Sequence, residues 1–112
     1  DKNKFILTIN NLKYANETIK FYTKKNLKEN THFLKNEKLF ILKENFFDQS
    51  YEVIFRSITE IIKFVGKKYY PVRGKKIDKI IEKIKSSNSF KTTLGGCVIK
   101  KVNQTVIVTK EQ

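Results

Sequence analysis

The stretch Leu94-Gly95-Gly96-Cys97-Val98-Ile99-Lys100-Lys101 gathers most of the residue types in this chain that could carry chemistry. Two adjacent glycines can cradle a phosphate with backbone N–H groups. Loops of that kind lead into a helix N-terminus, whose dipole supplies the field. Here the chain continues as Cys97, Val98 and Ile99, a strand-like run, and no Gly-Lys-Ser/Thr follows. The glycine pair therefore reads as a tight turn or bulge between strands. Cys97 as a nucleophile would need a base and a depressed pKa. The one histidine, His32, lies far away in sequence, and Cys97 reads as a small buried hydrophobe on a strand. One Cys and one His cannot build a zinc site, and no acid pair, serine motif or nucleotide loop occurs. We expect no catalytic residue, no cofactor site and no metal site in these residues.

A basic and aromatic constellation remains: Arg56, Lys63, Lys67, Lys68, Arg73, Lys75, Lys76, Lys79 and Lys83, with Tyr69 and Tyr70 among them. The formal net charge is +13, which invites a polyanionic partner. Abundant Lys, Ile and Asn (22, 14 and 10 copies) also reflect A/T-rich codons, so the total is less informative than its distribution. Residues 1–55 carry ten Lys and seven acids, a net of +3, whereas residues 56–112 carry fourteen Lys and Arg and four acids, a net of +10. Codon bias does not explain that polarity. The candidate nucleic-acid contacts are Arg56, Lys67, Lys68, Arg73, Lys75, Lys76, Lys79, Lys100 and Lys101. Arg73 sits where a helix is about to begin, so its guanidinium can join backbone N–H groups at a phosphate. Lys100 and Lys101 point to opposite faces of a strand, so at most one of them lies directly on a given surface. The competing reading is a solvated lysine face on an amphipathic helix.

The elements that must position these residues follow from periodicity. Apolar positions Leu12, Ala15, Ile19 and Tyr22 recur at helical spacing, predicting a helix from about Lys4 to Lys28. Residues 30–36 read as a connection, and "KLFILKENF" as a short strand or extended piece. Asp48 or Ser50 caps the next helix, with Glu52 in its first turn. That helix carries Ile54, Ile58, Ile61, Ile62 and Val65 on one face and stops at Gly66. "KKYYPVRG" is a turn around Pro71, and a third helix follows with Ile77, Ile80, Ile81 and Ile84 inward. From Phe90 the period becomes two: "FKTTL", "CVIKK" and "TVIVTK" read as strands broken at Gly95-Gly96 and Asn103-Gln104. The expected class is α+β, a small helical domain of three main helices followed by a short antiparallel β-meander or hairpin.

At 112 residues the chain is expected to be one domain. Residues 1–48 would be a connecting helix and short strand, and 49–112 a core of two helices and a hairpin. No run of about 18 apolar residues exists, so no membrane span is expected. The opening "DKNKFILTIN" has no signal-peptide pattern. The chain contains no Met, and we read it as part of a longer protein. A single Cys fits a reducing, cytoplasmic setting.

The order of these segments resembles a known family. An Arg within an apolar helix ("EVIFRSITEIIKFVG") is followed by "YYPVR", an amphipathic helix ("KKIDKIIEKI"), a polar gap, and "FKTTLGGCVIKKVNQTVIVTKE". This resembles the middle, substrate-binding domain of tRNA(Ile)-lysidine synthetases, and "KLFILKENFFDQSYEVIFR" is similar to the family's approach to that domain. The resemblance implies a parent ligase that uses ATP, with Mg, to adenylate C2 of the wobble cytidine before lysine displaces AMP. The Ser-Gly-Gly-x-Asp-Ser loop of its N-terminal ATP-pyrophosphatase domain is absent here, and Leu94-Gly95-Gly96-Cys97 is not a variant of it. The implied role of these residues is to hold tRNA for that catalytic domain, without catalysis of their own. A protein-interaction domain and a peripheral membrane binder are the other classes open to such a chain.

Overall fold

Ile54, Ile58, Ile61 and Ile62 recur every three or four residues and must face a common partner. That partner is a five-stranded antiparallel sheet. The computed structural model describes residues 2–67 and 72–111, with side chains from residue 16 onward. Helix α1 (Lys2–Glu29) leads into strands β1 (Thr31–Leu34) and β2 (Leu39–Leu42). A 3-10 turn (Glu44–Asp48), α2 (Tyr51–Gly66) and α3 (Gly74–Ser86) follow. Strands β3 (Ser89–Leu94), β4 (Cys97–Val102) and β5 (Thr105–Lys110) close the chain. The strand order is β1-β2-β5-β4-β3.

The architecture is α+β, as expected, but the sheet is wider than a C-terminal meander. The segment expected as a connection forms β1, which pairs with β2, and β2 pairs with β5 through Phe40↔Val108 and Leu42↔Val106. The N-terminal part therefore belongs to the sheet and to the core, where Leu42 and Phe46 are fully buried. Four residues, Thr-His-Phe-Leu, are too few to show a period above the polar residues around them, which is why β1 reads as loop.

One face of the sheet packs under α2 and α3. Leu42, Cys97, Ile99, Val106 and Val108 meet the isoleucines of both helices in one cluster. The register puts Phe90, Lys101, Val106, Leu42 and Thr31 in one row across this inner face. On the outer face the corresponding row is Lys91, Lys100, Ile107, Ile41 and His32.

Local signals explain the element ends. Ser50 caps α2 by accepting from the Val53 amide at 3.4 Å. Gly95 (φ 59°) and Gly96 (φ 82°) form the two-residue turn between β3 and β4, where two left-handed residues match the twist of the hairpin. α2 stops at Gly66, as expected, and the left-handed residue that follows it is Lys67 (φ 52°). Gly66 is the last helical residue, and a Cβ there would lie 2.0 Å from the Gly95 carbonyl oxygen. The end of α2 thus seats directly on the hairpin turn, an approach only glycine permits.

A buried polar network fastens α1. Asn26, almost wholly buried, donates from Nδ2 to the Phe46 carbonyl (3.3 Å) and the Ser57 hydroxyl (3.2 Å), and its Oδ1 accepts from Asn30 (2.8 Å). No helix among the described residues is long and apolar enough to cross a membrane.

Candidate nucleic-acid interface

α3 has its four isoleucines inward, so its polar residues share the other side. At 3.6 residues per turn, Lys76, Lys79 and Lys83 fall on one flank and Asp78 and Lys85 on the other, with Lys75 and Glu82 near the middle of the solvent face. The contacts agree with this division. Asp78 accepts a hydrogen bond from the Tyr51 hydroxyl of α2, whereas the Lys83 ammonium lies 5.5 Å from the ring centroid of Phe90 on β3. The basic flank therefore turns toward the β3 edge of the sheet.

Arg73 is the N-cap of α3, exposed and extended, and its side chain makes no capping bond. The first turn of the helix holds Lys75 and Lys76 and no acid. Cations at a helix N-terminus oppose the positive end of the dipole, and the first amides have no carbonyl behind them in the helix. Arg73, Lys75, Lys76 and Lys79 are all exposed. Among the described residues the ion pairs lie on α2 alone, Arg56–Glu52 (3.0 Å) and Lys63–Glu60 (4.0 Å).

Across the edge of the sheet the pattern repeats. Lys91 and Lys100 stand directly opposite one another on β3 and β4, both exposed on the outer face. Like charges so placed are destabilising unless a counter-charge sits on them. The five strands contain no Asp or Glu at all. Basic side chains thus border β3 on both sides, from α3 on the inner side and from Lys91 and Lys100 on the outer.

The nine residues singled out from the sequence separate into groups. Arg73, Lys75, Lys76 and Lys79 come together on α3, and Lys100 lies at the same edge on the opposite face. Lys67 is exposed at the far end of α2. Lys68 lies outside the described residues, as do Tyr69, Tyr70 and Pro71. Arg56 and Lys101 do not join this surface. Arg56 bonds Glu52 and, from Nη1, the Asn16 side chain at 3.0 Å, so it faces α1. Lys101 is on the inner face, where its ammonium donates to the Ile84 carbonyl and neutralises the negative end of α3.

Lys91 was not among the sequence candidates, although a signal for it existed. A two-residue Gly95-Gly96 turn makes Leu94 and Cys97 partners, and counting outward places Lys91 opposite Lys100.

Cys97 is fully buried, its thiol donating to the Ile62 carbonyl at 3.5 Å. Burial pushes the thiol up to about 11, aided by the Glu111 carboxylate and opposed by a hydrogen bond from the Gly66 backbone. His32 lies on the outer face of an edge strand three strands away, so the imidazole does not reach the sulfur. Gly95-Gly96 leads into β4, and no helix N-terminus follows it.

No protein-family model matches this chain, and neither a curated protein nor a solved structure matches it.

Proposed function

We propose that this chain is an RNA-binding domain that grips the phosphate backbone of tRNA along the β3 edge, using Arg73, Lys75, Lys76 and Lys79 on one side and Lys91 and Lys100 on the other. The observation that carries this reading is the first turn of α3, which holds Lys75 and Lys76 behind the exposed Arg73 and contains no acid. A phosphate there relieves the unfavourable charge–dipole arrangement and accepts from the free amides of the first turn. Point-charge contacts of this kind suit folded RNA, which is held mainly by shape, phosphates and 2′-OH groups. The resemblance to the substrate-binding domain of tRNA(Ile)-lysidine synthetases gives the reading its finer form. In that form the domain presents tRNA(Ile) to an ATP-dependent ligase domain lying outside these residues.

The test is tRNA binding by two double charge reversals, Arg73→Glu with Lys76→Glu and Lys35→Glu with Lys38→Glu, with circular dichroism confirming the fold of each. The second pair lies in the β1–β2 turn and is equally exposed. The α3 pair should lose about tenfold or more in affinity and the turn pair far less. Equal losses would mean that the charge acts diffusely and that the surface is wrongly assigned.

A further inference from the structure

α2 and α3 cover one face of the sheet, and alternation along the strands sends every second side chain to the other. An antiparallel sheet open to water on one side ordinarily carries polar residues there. This sheet departs from that pattern. The register sets Leu34, Leu39, Thr109 and Val98 side by side in one row, with Ile41 and Ile107 adjacent in the next. All six keep part of their surface in solvent. Contiguous aliphatic area of this kind, bordered by polar residues, marks an interaction surface.

The charges around the patch say what it fits. The ionisable side chains of the outer face are His32, Lys43, Lys91 and Lys100. Lys43 belongs with them because its backbone is extended and its amide donates to the Asn30 carbonyl (3.0 Å), prolonging the β1–β2 ladder. None of the four is acidic, and Glu37, Glu44 and Glu111 lie beyond the strand ends. Two such faces stacked together would set cations against cations, which disfavours a second copy of this chain. The three phenylalanines of the strands, Phe33, Phe40 and Phe90, all lie on the inner face. No phenyl ring is left outside for a base to stack on or to sink among lipid headgroups.

We propose that this face docks a protein partner through an amphipathic helix, aliphatic along one stripe and acidic beside it. From β1 to β4 the patch crosses three strand spacings, about 14 Å, which a helix covers in about nine residues. The aliphatic stripe rests on Leu39, Ile41, Ile107 and Val98, and the carboxylates meet Lys43 and Lys100 at the margin. The backbones of β2, β5 and β4 are paired on both sides, so the face offers side chains alone. That suits a helix, whose own backbone is bonded internally. Lys100 is shared with the phosphate surface, whereas Ile41 and Ile107 belong to the outer face only.

The experiment titrates the full chain, free of RNA, with three synthetic peptides of about fourteen residues, long enough to form a helix. The first has a leucine stripe flanked by glutamates, the second the same stripe flanked by lysines, and the third is a scramble of the first. Calorimetry and amide shifts follow binding. The glutamate helix should saturate at one equivalent and shift amides of β2, β5 and β4. The other two should bind at least about tenfold more weakly, and the scramble, with the same charge, measures diffuse attraction. Ile41→Thr with Ile107→Thr keeps β-branched residues in the strands. It should weaken the glutamate helix about tenfold and leave tRNA affinity unchanged. Lys43→Gln, at an exposed position outside the core, should weaken the helix about threefold and serves as the second variant if the isoleucine pair disturbs the fold. Failure of tRNA binding would leave this test intact, since no RNA enters the titration. A scramble that binds as tightly as the helix, shifts gathered on α3, or unchanged affinity in both variants would overturn the assignment. So would self-association abolished by the isoleucine substitutions, which would point to a second copy. Equally tight binding of phosphatidylglycerol vesicles through the same residues would overturn it in favour of a lipid surface.

Discussion

The two sides of α2 solve the same packing problem by different means. Toward α1, contact is fastened by polar side chains. Asn26 reaches two partners on other elements, and Arg56 is held by Glu52 and Asn16. Toward α3 and the hairpin, contact is isoleucine against isoleucine and valine, and the lysines of α3 face outward without ion pairs. An arginine count treats Arg56 and Arg73 alike, but only Arg73 keeps its charge free for a ligand. Unpaired charge, rather than total charge, is the useful indicator of a polyanion surface.

The contrast is broken most forcefully through packing. Ile81→Ala removes a fully buried side chain between α2, α3 and the sheet and should cost about 3 kcal/mol, from lost transfer energy and the cavity left behind. Asn26→Ala strips the α1 side of its central amide and leaves the Ser57 hydroxyl and Phe46 carbonyl unpaired, for about 2 kcal/mol. Chemical denaturation of both variants measures the two sides on one scale. A larger loss for Asn26→Ala would mean that the polar side dominates the fold.

These two sides were unequally legible. Isoleucines at positions 54, 58, 61 and 62, and at 77, 80, 81 and 84, declare their helix faces by spacing alone, and all eight are buried. The period-two strands after Phe90 follow equally from local chemistry, as does a cap at Asp48 or Ser50, of which the structure uses Ser50. Asn26 gave no signal, because its partners lie 20 and 31 residues away. Gly66 marked the end of α2, but its close approach to Gly95, which requires a glycine there, is revealed only by the tertiary structure. At the candidate site, the cluster from Arg73 to Lys79 was visible as sequence, and its solvent orientation followed from the isoleucines. The loss of Lys101 to the α3 C-terminus required knowing which face of β4 is covered.

A smaller effect sharpens the contrast by pH. Cys97, on the hairpin side, has its thiol raised to about 11 from an ordinary value near 9. Tyr51 is raised to about 12 from near 10, first by its hydrogen bond to Asp78. Both groups favour the folded state while protonated, so their contribution is complete below about pH 9 and falls as pH rises. Stability should decline from pH 9 to 11 through Cys97, and from 10 to 12 through Tyr51. Cys97→Ala should flatten the first part of that decline while lowering stability at pH 7 modestly. Urea midpoints across the range provide the check. An unchanged slope between pH 9 and 10 in the variant would show that the thiol is not the titrating group.

The central claim is that the free cations on α3 and at the β3 edge meet phosphates directly, and the salt dependence of tRNA binding tests it most directly. If about four phosphates are neutralised, the slope of log affinity against log salt should lie near −3 to −4. Lys75→Gln with Lys79→Gln, both solvent-facing, should make that slope shallower by nearly 2, about one for each contact removed. Lys35→Gln with Lys38→Gln should leave the slope unchanged. A slope that shifts equally for both pairs, or for neither, would contradict a phosphate-binding surface at this edge.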